Sequence, residues 1–189
     1  MNFSEDVEEC LRVLRAGGVI LYPTDTVWGL GCDATNAEAV QKIYAIKQRL
    51  ESKALIVLLA EERDIIRYVA QPDLRVFDYL QQTSRPTTVI YHGAIGMADN
   101  LIAADGSIGI RLVQDEFCRH LIKRFRKPLV STSANVSGQP APAVFSEISE
   151  EIISKADYVV RYRREDTTIH QPSAVVLWNN DGTVKMLRG

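Results

Sequence analysis

Side chains suited to binding or catalysis concentrate in four short segments of this 189-residue chain. The first is Tyr22-Pro23-Thr24-Asp25-Thr26-Val27-Trp28-Gly29-Leu30-Gly31. An apolar run meets a rigid proline, then hydroxyls and a carboxylate, then glycines. Strand ends present polar groups to ligands in this order; a turn closed by its own side chain-to-backbone hydrogen bonds is the competing reading. The second is Lys47-Gln48-Arg49 with Lys53, three cations within seven residues. Arg offers a planar fork and Lys a mobile point charge to a polyphosphate, whereas a solvated helix end explains the same spacing through the helix dipole. The third, Ser131-Thr132-Ser133-Ala134-Asn135-Val136-Ser137-Gly138, sets five hydroxyl or amide side chains in seven residues after an apolar run. Small polar residues let a ligand approach the backbone; an ordinary polar loop is the rival. In the fourth, Ser107-Ile108-Gly109-Ile110-Arg111, alternation puts Ser107, Gly109 and Arg111 on one face of a strand. A buried arginine there needs a partner, either a structural carboxylate or an anionic ligand.

Other chemistries lack their residues. Cys10, Cys32 and Cys118 are far apart with no C-x-x-C, so reduced, buried thiols are expected rather than a zinc ribbon or redox centre. His92, His120 and His170 are scattered, without H-E-x-x-H, and are expected at the surface or as caps. No metal site is expected from protein side chains. There is no G-x-S-x-G elbow and no Walker A loop, and Gly29-Leu30-Gly31 lacks the rest of a dinucleotide fingerprint. Lys, Arg, Ser, Thr and Asn without a nucleophile–base pair suit positioning and charge stabilisation in a phosphoryl-type reaction.

The elements that position these segments alternate in type. A first helix is expected with Ser4 as its cap and Val7, Leu11 and Leu14 on one face, stopped by Gly17-Gly18. A short strand follows over 19–22. Asn36 caps a second helix with Val40, Ile43, Tyr44 and Ile46 inward. Strands are expected at 55–59, 87–91, 107–112, 129–131, 158–161, 174–178 and 184–187, and helices at 61–69, 73–82, 116–126 and 145–155. Residues 179–182 make a hairpin turn ending in Asp181-Gly182. This order implies a single α/β domain over residues 1–189 with a mixed sheet.

Composition bounds the class: 46% hydrophobic, 24% charged, net charge −2, an ordinary globular balance. No apolar run reaches a membrane span. The acidic start, with Glu5, Asp6, Glu8 and Glu9, does not resemble a secretory signal, so a cytoplasmic protein is expected. The charge is uneven: residues 1–46 carry −4, 47–127 carry +3 and 128–189 carry −1. Near-neutrality thus excludes a uniformly basic protein and leaves room for a local cationic pocket.

Taken together the segments resemble the YrdC family, the threonylcarbamoyl-AMP synthases of tRNA modification. The resemblance runs from Ile20 to Gly189. It rests on Tyr22-Pro23-Thr24-Asp25-Thr26 with Gly29-Leu30-Gly31-Cys32-Asp33, on Lys47-Gln48-Arg49 with Lys53, on Arg111, on Pro128-Leu129-Val130 running into Ser131 to Gly138, on Pro172-Ser173, and on Leu187-Arg188-Gly189. It implies a twisted mixed sheet flanked by helices with a concave, positively charged face. It implies that L-threonine, bicarbonate or CO2, and ATP give threonylcarbamoyl-AMP and pyrophosphate, with Mg2+ held by phosphates and water. Partner proteins would then transfer the threonylcarbamoyl group to tRNA adenosine 37; tRNA or double-stranded RNA is a further implied partner.

By position, the resemblance assigns Lys47, Arg49 and Lys53 to the ATP phosphates and to catalysis, and Ser107, Ser133, Asn135 and Arg188 to the nucleotide. Thr26, Arg111, Ser131 and Ser173 would form the threonine pocket, with Arg111 on the carboxylate. The family's usual prolines are replaced by Leu50, Ala54 and Val113, and its Trp-Pro-Gly-Pro by Thr83-Ser84-Arg85-Pro86. These departures carry the alternative reading, a diverged nucleotide- or RNA-binding paralogue acting in RNA or ribosome maturation.

Overall fold

The computed structural model describes residues 3–48, 55–179 and 181–189. Helix α1 (Ser4–Arg15) buries Val7, Cys10, Leu11 and Leu14, a 3.6-residue stripe. Its first residue is Ser4 itself; Phe3 takes the N-cap position, where its ring packs edge-on against Phe117 and Tyr162. The expected Ser4 cap is thereby displaced by one residue, because burying the Phe3 ring fixes where the chain enters. Gly17, at φ +73°, stops the helix in a conformation that glycine adopts freely.

Strands β1 (Ile20–Tyr22) and β2 (Gly29–Gly31) form an antiparallel pair. Helix α2 (Ala37–Lys47) is capped by Asn36, whose side chain accepts from the Glu38 and Ala39 amides. Then come β3 (Ile56–Leu59), a 3-10 segment Glu62–Arg67, α3 (Arg75–Gln82), β4 (Thr87–His92), β5 (Ser107–Leu112), α4 (Glu116–Phe125), β6 (Leu129–Ser133), α5 (Glu150–Lys155), β7 (Tyr158–Val159), β8 (Ala174–Trp178) and β9 (Val184–Arg188). Among the described residues these strands make one mixed sheet in the order β7-β1-β2-β6-β3-β5-β4-β8-β9. Helices α1 and α4 pack on each other, and α4 packs on β3.

Three differences from the sequence expectations have local causes. Residues 29–31 form a strand wedged between β1 and β6, not part of a loop. The ring of Tyr22 and the Val130 carbonyl lie 2.6 and 2.8 Å from where a Gly31 Cβ would sit, so only glycine fits. The strand expected over 158–161 ends at Val159, because the buried Asp6 carboxylate accepts the Arg161 and Tyr162 amides, both at 2.9 Å. The helix expected over 145–155 is split into a 3-10 turn at Phe145–Glu147 and α5, since Ile148 adopts extended backbone and is buried.

No helix among the described residues is long and apolar enough to cross a membrane. Cys10, Cys32 and Cys118 are free and buried, and burial pushes all three thiols well up, away from the reactive thiolate.

Candidate active site

The ends of β2, β3, β5 and β6 frame a cleft of about 210 Å³. Along β5 the side chains alternate, and Arg111 emerges on the face opposite to Ile110 and Leu112. Gly29 crosses Ser133 on β6, and a Cβ on Gly29 would stand 3.1 Å from the Thr132 carbonyl oxygen and 3.3 Å from Ser131 Oγ. Absence of that side chain keeps the cleft open. Thr26, Arg111, Ser131, Ser133, Ser173 and Arg188 all line it. Six residues spread from position 26 to position 188 therefore meet in one cleft.

Arg111 dominates the electrostatics. It is 1% exposed, and its Nη2 lies 3.0 Å from Asp25 Oδ1. The pair is ionic but off-line: Arg111 Nε and Nη2 and Asp25 Oδ1 are buried without a hydrogen-bond partner. Buried donors left open cost about 1–3 kcal/mol each, more when charged, so an acceptor brought to them would recover that cost. The rest of the polar lining is hydroxyls and Arg188, with no carboxylate. Thr26 Oγ1 meets Thr24 Oγ1 at 3.0 Å, and Thr24 Oγ1 donates to the Val27 carbonyl at 2.8 Å. These bonds hold the loop that follows Pro23. At the opposite wall Ser173 Oγ pairs with Thr88 Oγ1 at 2.9 Å, while Arg188 donates twice to the Ser173 carbonyl oxygen, at 2.9 and 3.2 Å. Beneath the cleft, burial pushes the Tyr22 phenol well up, so it stays protonated and donates to the Val130 carbonyl oxygen.

Lys47, Ser107 and Asn135 do not line the cleft. Lys47 is 1% exposed, and its ammonium donates to the carbonyls of Ser133 and Asn135, at 2.5 and 2.7 Å. It ties the end of α2 to the polar loop after β6. The Asn135 amide donates to the Val136 and Gln139 carbonyls, leaving its buried Oδ1 open. Ser107 stands at the far end of β5, opposite His92. Arg49 and Lys53 lie outside the described residues.

Two contributors were not singled out from the sequence. Asp25 was visible only as one member of the 22–31 segment, and nothing in that segment says which side chain faces Arg111. Thr88 carries no signal of its own on β4, and its partner Ser173 is 85 residues away. Among the described residues no group of three or more His, Cys, Asp or Glu is placed to hold a metal ion.

The Sua5/YciO/YrdC family model, described as telomere recombination, matches residues 12–189. The chain belongs to this family. Among Sua5/YciO/YrdC relatives, the threonylcarbamoyl-AMP synthase of Vibrio campbellii is 32% identical over 87% of this chain and 89% of its own length. A putative threonylcarbamoyl-AMP synthase of Methanocaldococcus jannaschii is 31% identical over 92% of this chain and 80% of its own. The fold matches P. abyssi Sua5 complexed with L-threonine, with a TM-score of 0.85 at 20% identity over 97% of this chain. The chain spans only 54% of the length of that Sua5. E. coli YciO matches with a TM-score of 0.83 at 21% identity, covering 97% of this chain and 88% of YciO.

Proposed function

We propose that this chain is a threonylcarbamoyl-AMP synthase, which joins L-threonine, bicarbonate or CO2, and ATP into threonylcarbamoyl-AMP and pyrophosphate. The observation that carries this reading is Arg111: a buried guanidinium with two open donors at a cleft whose lining is otherwise hydroxyl-rich and without acid. The 32% identity to the Vibrio synthase supports the same activity.

In this reading the threonine carboxylate takes the Arg111 fork, a charge-assisted bidentate contact. Thr26, Ser131 and Ser173 surround the rest of the amino acid. The amine adds to CO2 and loses a proton, giving a carbamate. A carbamate oxygen attacks the ATP α-phosphorus, and the bond to the β-phosphate oxygen breaks as pyrophosphate leaves. Ser133 and Arg188 face the nucleotide, and Arg49 and Lys53 neutralise the departing phosphates. Lys47 and Asn135 shape the loop on which those phosphates lie, while Ser107, at the far end of β5, lies outside the cleft. Since no carboxylate lines the cleft, Mg2+ would be held by the phosphates and water. Chain and substrates contribute positioning and charge stabilisation, with no covalent enzyme intermediate. Transfer of the product to tRNA adenosine 37 would fall to partner proteins in the cytoplasm.

The test is pyrophosphate release by purified protein with ATP, bicarbonate and Mg2+, comparing threonine, serine and no amino acid. Release that depends on threonine is expected. No release above a Lys47→Ala control overturns the reading, and RNA affinity that falls steeply with salt would then favour the RNA-binding paralogue.

A further inference from the structure

We infer that Asp25 is a positioning residue, which acts on the ligand through Arg111 by holding the guanidinium while leaving its hydrogen-bonding edge unspent. The identity of the ligand as threonine rests on the function proposed above; the relation between the two side chains does not.

The carboxylate is tied at one oxygen, and the loop that carries it is held at Thr24. Asp25 Oδ2 accepts the Gln114 amide at 3.2 Å, just beyond the end of the strand that carries Arg111. The preceding Thr24 accepts the Thr26 amide at 3.0 Å through its hydroxyl. Its carbonyl accepts from Arg163 Nη2 at 3.0 Å, and Arg163 is in turn paired with Asp115 at 2.6 Å. The Gln114 bond limits how far the carboxylate follows the arginine. Its Oδ1 stands 3.0 Å from Nη2, yet neither atom is in a hydrogen bond. The attraction between the charges acts without alignment, whereas a hydrogen bond requires it. Asp25 thus holds the guanidinium in place and balances its charge, and Nε and Nη2 keep their N–H donors for an incoming carboxylate. Asp25 does not line the cleft, so its effect on a ligand must pass through Arg111.

The test measures L-threonine and ATP binding by calorimetry, and pyrophosphate release where it occurs, for wild type, Asp25→Asn, Asp25→Glu, Arg111→Gln and Asp25→Asn/Arg111→Gln. Asp25→Asn should weaken threonine binding about tenfold and leave ATP within about twofold. Within the Arg111→Gln background the same change should add less than about twofold. Asp25→Glu keeps the charge but shifts it by one methylene; it should show the same selective loss at smaller size, and it stands in for Asp25→Asn if that variant fails to fold. Equal losses for threonine and ATP, no loss, or a full additional loss without Arg111 overturns the inference, as does a wild type that binds no threonine. A wild type that binds threonine through Asp25 but releases no pyrophosphate sinks the proposed activity and keeps the inference. A wild type that turns over with threonine affinity unchanged by Asp25→Asn does the reverse.

Discussion

The sheet carries a hollow on each face, and the smaller one holds the features of a site. Ile56 and Leu59, three residues apart on β3, point to opposite faces: Ile56 into the 210 Å³ cleft, Leu59 into a groove of about 520 Å³. Five cations line the groove, namely Arg63, Arg67, Lys123, Arg126 and Lys127. Three are already paired: Arg63 and Lys123 with Glu61 at 2.5 and 2.7 Å, and Lys127 with Asp33 at 2.5 Å. The side chains of Arg63 and Lys123 are 81% and 46% exposed, so water screens what remains. In the cleft Arg111, 2% exposed at its side chain, keeps two donors open. Volume and number of charges point to the groove. Desolvated, unspent hydrogen-bonding capacity points to the cleft, and that is what a ligand's functional groups can satisfy.

The largest effect expected from this contrast is at Arg111. Arg111→Ala should raise the threonine requirement for pyrophosphate release about 100-fold, with the ATP requirement nearly unchanged. Equal losses would remove the distinction between the faces. Next is the packing of β2 behind the cleft: Gly31→Ala brings a methyl against the Tyr22 ring and the Val130 carbonyl. It should cost about 1–3 kcal/mol in urea unfolding, whereas alanine at the exposed Lys123 should cost far less. Ser173→Ala breaks the buried pair with Thr88 and should raise the threonine requirement a few-fold, about fivefold. Arg67→Ala and Arg126→Ala in the groove should leave both requirements within about twofold; a tenfold loss in either would make the groove part of the site.

The smallest effect is a pH dependence. The hydrogen bond from Lys123, helped by the Arg63 and Lys123 charges, holds the Glu61 carboxyl below the usual carboxylate range. A carboxyl depressed on folding stabilises the protein above its unfolded value and loses that contribution as pH falls through the folded one. The stability difference between wild type and Glu61→Gln should therefore be present at neutral pH and close in strong acid. Thermal melts at both pH values measure it; a gap that persists in acid would show that the pairing is not the cause.

Much of this architecture was legible in the order of residues. Asn36, the apolar stripe of α2 and the strand at 107–112 follow from caps and periodicity, which are local. The cleft itself was legible as a set of segments, because strand ends rich in Ser, Thr, Gly and Pro are distinctive. Side-chain direction was not. The family resemblance makes Lys47 a phosphate ligand, yet it faces two carbonyls that lie 86 and 88 residues further along the chain. Asp25 and Thr88 acquire meaning only from Arg111 and Ser173, partners that no periodicity brings together. Likewise β2 was hidden because two glycines weaken a strand signal, and the ring and carbonyl that demand Gly31 come from neighbouring strands.

The order of the strands also governs how the molecule is assembled in time. Strand β1 pairs with β7, and β4 pairs with β8, so early segments wait for late ones. Contacts so distant in sequence are slow to form, because loop entropy is lost before the contact rewards it. Ser173 and Arg188 close the far wall of the cleft from the C-terminal end of the chain, so the cleft is complete only once β8 has docked on β4. Ligand affinity thereby becomes a report on completed folding.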